Sequence, residues 1–418
     1  MAAAMVKRVL MIAFHFPPFV GSSGLQRTLQ FANNLCRSGW EPLVLSVRPF
    51  AFRNVSDDQI GEIDDNIRVV RTLAFDASRH FTIAGKYPAF LADPDPWCSW
   101  YYTAVPAAHS IIRKVGVDVI WSTYPIATAH KIGLTVARST GIPWVADFRD
   151  MMLDDDYPAN RRKRRIHAGL EADIVQSAKR VLATTQGTLE LYSRRYRTES
   201  PDKWVCIRNG YHEPDFDAVG QEEPRRKGRP LRFVHSGLLY PSERDPRPFY
   251  RALSELKADG FVSAASLKIV FRASGHDGYH SSLIHQHDIA DIEELLPGIA
   301  HRQAIEEMIQ SDGLLIFQAA NCNKQIPAKI YEYFRAQRPI LAITDLSGDT
   351  ATTMIDAGLN DIVDIADCLS IKKGFREFLS SVENGTARIV ELEKISSFSR
   401  QSQAAELKAV LESICDDD

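Results

Sequence analysis

Short, fully apolar runs, each followed by a helix-periodic segment, recur along this chain. "RVLMIAF" (8–14) is the first and "EPLVLSV" (41–47) the second. A strand that is apolar at successive positions has no face to give to water. It must be covered on both sides, which in practice means a parallel sheet between two layers of helices. "DVIWST" (118–123), "PWVADF" (143–148) and "RVLATT" (180–185) repeat the pattern, with helical periodicity over 127–139 and 165–178 between them. After the first strand, Leu25, Leu29, Ala32, Leu35 and Cys36 fall on one helical face, and Gly39 closes that helix.

The alternation is interrupted once. Residues 212–230, "HEPDFDAVGQEEPRRKGRP", are polar and rich in proline, glycine and charge, the composition of a linker. It then restarts with "LRFVHSG" (231–237), "LKIVFRAS" (267–274), "DGLLIFQ" (312–318) and "PILAIT" (339–344), and with helices near 246–259, 301–310 and 327–337. The segment 398–415 reads as a polar amphipathic helix with no strand after it. The expected fold class is therefore α/β, with two Rossmann-like units. The N-terminal unit spans 1–212 and takes back the final helix, 398–418; 213–230 is the linker; the C-terminal unit spans 231–397.

Composition narrows the function classes. A net charge of −3 on 418 residues gives no global attraction to nucleic acid. Six scattered cysteines without a CxxC pair argue against a disulfide framework or a zinc site and fit a reducing compartment. No apolar run reaches the ~20 residues needed to cross a bilayer. "VLMIAF" (9–14) is followed by prolines rather than a small-residue cleavage site, so it is read as a buried strand and not as a leader.

Ligands of parallel α/β units bind beyond the carboxyl ends of the strands, so the segments just after strands are where chemistry is expected. The first is "FPPFVGSSGLQR" (16–27). Gly21 and Gly24 allow close backbone approach, Ser22 and Ser23 carry hydroxyls, and the helix that starts near Leu25 presents amides and a partial positive charge suited to an anion. Its spacing matches neither a dinucleotide fingerprint nor a P-loop, and a tight structural turn accounts for it equally well. "QIPAKIYEYFRAQRPILAI" (325–343) places Lys329 and Glu332 three apart at a helix start, a cation for phosphate and a carboxylate able to accept from a ribose diol. A surface Lys–Glu pair has the same spacing. In "HSGLLYPSERDPRPFY" (235–250), Arg244 and Arg247 lie between a strand and the next helix, where arginine forks recognise phosphate. "ADFRDMMLDDD" (146–156) ends another strand with Asp147, Arg149 and Asp150, offering a base, contacts to acceptor hydroxyls, or an Asp–Arg structural pair.

Other features are weaker. His15 ends the first strand, and His130 lies on a helix. "PDPWCSWYY" (94–102) is a packing patch or a platform for a sugar ring. The acids of "DPD" (93–95) and "DDD" (154–156) read as loop residues, and no metal is expected. Arg161, Arg162, Lys163, Arg164 and Arg165 form a basic run that is either a solvated face or a contact for an anionic membrane surface, worth ~1 kcal/mol per residue.

Taken in order, these segments resemble the retaining GT-B glycosyltransferases of family four, and within them the bacterial branch that builds surface polysaccharide. The opening "FPPFVGSSGLQRTLQFANNLCRSGWEPLVLS", the middle "WSTYPIATAHKIGL" and "GIPWVADFRD", and the later "HSGLLYPSERDPRPF" and "IPAKIYEYFRAQRPILAI" carry the likeness, which covers nearly the whole chain. The resemblance implies two Rossmann-like domains facing across a cleft, the C-terminal one holding a nucleotide-diphosphate sugar and the N-terminal one a glycan or lipid-linked acceptor. It implies a donor set of Gly21, Ser22, Ser23 and Gly24 from the first unit. From the second it adds Gly237, Arg244, His301, Lys329, Ile330 and Glu332, with Glu332 on the ribose and Arg244 and Lys329 on the diphosphate. His15, Gln26, Arg27, Thr123, Tyr124, Asp147 and Arg149 form the implied acceptor set. Two positions depart from the pattern: Lys324 stands where the family often has a first glutamate, and Thr123 where several members have histidine.

The expected reaction is sugar transfer, with retention implied by the family alone. Charge growing on the departing diphosphate calls for fixed positive groups, so Arg244 and Lys329, with Asp150, are the catalytic expectation. No cofactor or metal is required beside the nucleotide sugar, and a cytoplasmic protein, peripheral at the membrane's inner face, is expected. A nucleotide-sugar epimerase of the same fold and a non-catalytic nucleotide-sugar-binding member are the alternatives.

Overall fold

The structure, a computed structural model, describes residues 6–20, 23–154, 157–217, 219 and 228–416. Gly21 and Ser22 of the opening loop lie outside the described residues, and the side chain of Ser23 is not described. The chain divides into two units, Met1–Arg208 with Arg400–Asp418, and Asn209–Ser399. The polar stretch of the sequence thus belongs to the second unit, where Glu213–Asp217 is a short helix.

The first unit contains seven parallel strands: β1 (Arg8–Ile12), β2 (Glu41–Val47), β3 (Arg68–Thr72), β4 (Val119–Thr123), β5 (Trp144–Phe148), β6 (Arg180–Ala183) and β7 (Trp204–Cys206). Their spatial order is β3-β2-β1-β4-β5-β6-β7. The reason for the uninterrupted apolar runs is visible in the cores. Leu10 and Ile12 of β1 pack in one cluster with Leu43, Leu45 and Ile120, while Val9 and Met11 pack in the opposite cluster with Val44, Val119 and Trp121. Successive side chains of a strand point to opposite faces, and here both faces are dry. The final helix, Arg400–Asp416, adds Ala404, Leu407, Leu411 and Ile414 to the second of these clusters, beside Leu29, Ala32 and Leu35 of the helix Ser23–Arg37.

The second unit repeats the plan with six parallel strands, β8 (Leu231–Ser236), β9 (Leu267–Arg272), β10 (Glu293–Leu296), β11 (Gly313–Gln318), β12 (Ile340–Thr344) and β13 (Ile362–Val363), in the order β10-β9-β8-β11-β12-β13. Phe233, Ile269, Leu315 and Leu341 face one core, and Val234, Val270, Leu314 and Ile340 the other. In each sheet the strand order reverses at one point, between β1 and β4 and between β8 and β11. Connections leave in opposite directions there and open a crevice beyond the carboxyl ends.

The strands β3, β7, β10 and β13 were not legible in the sequence. Each lies toward a sheet edge and is short or mixed in polarity, as in "RVVRT" and "EELL". The aromatic stretch 94–102 is a packing feature: Trp100 is fully buried, donates to Thr72 Oγ1 at 2.9 Å and meets Phe14 edge-on at 5.7 Å. No disulfide forms among the six cysteines. Among the described residues no helix is long and apolar enough to cross a membrane, and no group of three or more His, Cys, Asp or Glu could hold a metal ion.

Candidate active site

In the second unit a pocket of about 360 Å³ opens where the crevice is expected. Its walls are the end of β8 (His235, Ser236, Gly237), Leu238 and Tyr240 after it, Arg244, Ile316 and Phe317 of β11, and Pro327, Ala328 and Lys329 at the head of the helix Lys329–Ala336. The floor is apolar and the rim carries two cations. Arg244 is aimed by neutral acceptors. Its Nη1 donates to Leu238 O at 2.7 Å and its Nε to Gln318 Oε1 at 3.3 Å, and the guanidinium lies 5.8 Å from the Tyr240 ring centre. Neither Arg244 nor Lys329 has a carboxylate ion-pair partner among the described residues. Both charges are therefore available to an incoming anion, in a partly dry pocket where screening is weak.

The backbone of this site is shaped for that approach. Gly237 has φ +126°, a region L side chains rarely adopt, and the Lys329 side chain runs across its bare Cα. The amide of Ser236 is held by Tyr333 Oη at 2.9 Å, which ties the strand end to the helix of Lys329. His235 is buried; its Nδ1 bonds Leu315 O at 2.9 Å, and burial, together with the charges of Arg244 and Lys329, pushes its pKa down to about 4. Its Nε2 has no hydrogen-bond partner among the described residues. One turn into the Lys329 helix, Glu332 Oε2 is likewise buried without a partner. The Glu332 charge is felt by His301, whose pKa is raised first by its 3.1 Å hydrogen bond to Asp215 and further by Glu332.

The structure thus brings Gly237, Arg244 and Lys329 together. It places Glu332 and His301 within electrostatic reach of each other. It removes two expected contributors. Ile330 is fully buried, and its amide already donates to Pro327 O at 3.0 Å, so it has neither an exposed side chain nor a spare N–H. Arg247 turns back onto Asp245 of its own loop at 2.5 Å. His235 and Gln318 were missed by sequence reasoning. A signal existed, since each is a polar residue at or next to the end of a buried strand, "LRFVHS" and "GLLIFQ".

The first unit gathers a second set at the ends of β1, β4 and β5. Much of it is structural. Arg27 forks onto Asp147, with Nε to Oδ2 at 2.9 Å and Nη2 to Oδ1 at 3.0 Å, and its Nη1 bonds Arg208 O at 2.9 Å; both side chains are buried. Thr123 Oγ1 donates to Tyr124 O and lies 3.4 Å from Asp147 Oδ2. Tyr124 is buried, and burial raises its pKa. Of the residues expected to meet an acceptor, Arg27, Thr123 and Asp147 are joined in an internal network, and Tyr124 is buried beside it. His15 stacks on Phe19 at 4.2 Å, and burial plus the Arg149 charge lowers its pKa to about 3, so it is neutral. Gln26 Oε1 is buried and without a partner among the described residues. Asp150 is half exposed, 3.9 Å from Arg149 Nη2. His130 is internal, 2.7 Å from Ser122 Oγ.

Of the basic run, Arg162 pairs with Asp93 at 2.5 Å, and Arg164 donates to the carbonyls of Asp154 and Tyr157. Both contacts tie the run to a loop, and Arg162 stays 56% exposed while making its own.

Residues 24–210 match the glycosyl transferase 4-like domain. The first unit is a glycosyltransferase domain. No curated protein matches the chain. Among solved structures, sucrose-phosphate synthase from Thermosynechococcus elongatus aligns with a TM-score of 0.66 at 13% identity, over 99% of this chain and 100% of that one. Anabaena HepE in complex with UDP aligns at 0.63 and 13%, over 98% and 100%. A protein titled as a UDP-N-acetylglucosamine 2-epimerase from Listeria monocytogenes aligns at 0.61 and 10%, over 99% and 98%. The chain carries its two Rossmann-like units in the GT-B fold shared by these solved structures.

Proposed function

We propose that this glycosyltransferase moves a sugar from a nucleotide-diphosphate sugar onto a glycan or lipid-linked acceptor in lipopolysaccharide or capsule synthesis. The observation that carries the reading is the pocket at the β8/β11 reversal, where Arg244 and Lys329 present two cations without an acid partner among the described residues and Lys329 lies across the bare Cα of Gly237. A diphosphate leaving group gains negative charge as the bond to the sugar breaks, and preorganised cations stabilise that charge more than the ground state. Arg244 is held in place by Leu238 O and Gln318 Oε1 and has no need to reorganise. Glu332, with its buried partnerless oxygen, is the acceptor for a ribose diol.

The reading extends to retention of configuration, to a reaction that needs no metal, and to a site of action at the cytoplasmic face of a membrane. HepE, titled in complex with UDP, makes uridine the first nucleotide to try. For the membrane contact, Arg161, Lys163 and Arg165 are the residues of the basic run left to meet anionic lipid. Co-sedimentation with vesicles containing anionic lipid, compared with neutral vesicles, tests it.

The deciding experiment is a donor screen. Thermal shift and nucleoside-diphosphate release are followed across UDP, GDP, ADP and dTDP sugars, with Arg244→Ala as control. One nucleotide class should raise the melting temperature by mass action, and the shift should vanish in the variant. No stabilisation by any nucleotide sugar would overturn the proposal. The epimerase reading has the fold likeness to the Listeria protein behind it. Interconversion of donor sugars without acceptor would establish it in place of transfer.

A further inference from the structure

Between β3 and β4 the first unit leaves large apolar side chains in solvent. Ile83 is 83% exposed and Phe90 63%, and Phe81 is exposed with them, as is Phe50 before β3. They belong to one surface. The Phe81 ring lies 5.6 Å from Phe75, Phe75 5.8 Å from Phe50, and Phe50 4.5 Å from His80. The short helix Ala77–His80 packs against the turn Ala89–Ala92, which carries Phe90. A contiguous apolar patch left in water marks a surface that something else covers.

The turn at Ile83 is tightly closed. Ile83 and Lys86 exchange backbone hydrogen bonds at 2.9 and 3.0 Å around Ala84 and Gly85, as in a two-residue hairpin turn. Both central residues have positive φ, +48° and +76°. Glycine takes that conformation freely, and alanine only at a cost. The chain thus accepts strain at Ala84 while holding a bare isoleucine at the tip, and strain of this kind concentrates at functional positions. The surroundings are basic. Residues 77–92 contain no aspartate or glutamate, while Arg79 and Lys86 are both exposed. The acids on either side are taken up: Asp76 is buried and paired with Arg53, and Asp93 is paired with Arg162 at 2.5 Å. The second pair also joins the patch to the basic run, since Arg162 is the second residue of the helix Arg161–Ser177. His167 of that helix lies 3.0 Å from Pro94 O and makes a second tie.

Exposed aromatic and aliphatic groups flanked by cations suit the boundary between phosphate headgroups and acyl chains. A partner protein would need a cavity shaped for the projecting tip, whereas a fluid bilayer needs none. We propose that residues 81–86, with Phe90, insert into an anionic lipid bilayer while Arg79, Lys86 and the basic run lie against its phosphates. This rests on the membrane contact read above and adds an apolar anchor to it. The two differ in their response to salt, which screens the cations and leaves apolar burial in place.

The test uses the full chain and co-sedimentation with vesicles of phosphatidylcholine, alone or mixed with phosphatidylglycerol. Ile83→Asp combined with Phe90→Asp charges the patch at two exposed positions and spares the core, which thermal unfolding checks. Wild type should bind the mixed vesicles and keep part of that binding at about 0.5 M NaCl, where charges are strongly screened. The double variant should bind more weakly by roughly tenfold or more at both salt levels. In Ile83→Trp, the added emission should shift to the blue on mixed vesicles and be quenched by bromine carried on the acyl chains. Equal binding of wild type and double variant, or Ile83→Trp emission unmoved by vesicles, overturns the proposal. If that equal binding also disappears at high salt, the basic run alone is the contact, and the membrane reading stands without the anchor. Absence of binding to any vesicle removes both. If the double variant turns a wild-type dimer into a monomer with vesicle binding unchanged, the patch is an interface between copies and the proposal fails. No readout here involves a nucleotide sugar, so a failed donor screen would leave the result standing.

Discussion

Lys329 lies across Gly237: a Cβ on the glycine would come 3.0 Å from Lys329 Cε and 3.5 Å from Cδ. The contact brings the lysine down onto the end of β8. Gly237→Ala adds a side chain at φ +126°, a strain of order 1–3 kcal/mol, and pushes the lysine away. The expected outcome is a folded protein with a several-fold higher KM for donor. An unchanged KM would show that the lysine's position is immaterial.

Arg244 and Glu332 separate catalysis from binding. Arg244→Ala removes a preorganised cation and should lower kcat about 10²–10³-fold. Glu332→Ala should weaken nucleotide binding by about 1.5–3 kcal/mol, the worth of a hydrogen bond to a charged group. Steady-state kinetics and calorimetry on each variant check the split. Full activity in either would remove that residue from the site.

The Arg27–Asp147 pair is a stability element. Arg27→Met leaves the carboxylate buried without its fork, a loss of about 3–5 kcal/mol. Urea unfolding should show the midpoint falling. Removing both charges, in Arg27→Met with Asp147→Leu, should recover much of it. If the single variant matches the wild type, the pair is not holding the strand ends.

His301 and Asp215 give the second unit a pH response. The hydrogen bond to Asp215 raises the His301 pKa above its ordinary value. The stabilisation is fully present below the unfolded value of about 6.5 and is lost as pH rises through the folded one. NMR titration of His301 should show the raised value, and Asp215→Asn should lower it. A His301 titration unaffected by that change would assign the shift elsewhere.

If Arg244 and Lys329 take the part a divalent ion plays on a diphosphate, as proposed, transfer should continue in excess EDTA. Loss of activity restored by Mg²⁺ or Mn²⁺ would assign that part to metal.

Periodicity carried much of this description. Uninterrupted apolar runs required strands with two dry faces, and their spacing required two parallel units, because burial of a strand is a property of its own residues. The polar residues at the ends of those runs, such as Asp147, marked the crevices for the same reason. What no local pattern carried was which charges survive. Arg149 lies just beyond β5, Arg27 in the helix that follows β1, and Arg244 and Arg247 in the segment that follows β8. Arg27 is consumed by an acid 120 residues away and Arg247 by one two residues away. Arg244 is held by Leu238 O and Gln318 Oε1 and has no carboxylate partner among the described residues. Neutralisation depends on which segments meet in space at under 3 Å, and that distance is set by packing of the sheets and their helices, not by the order of residues along the chain.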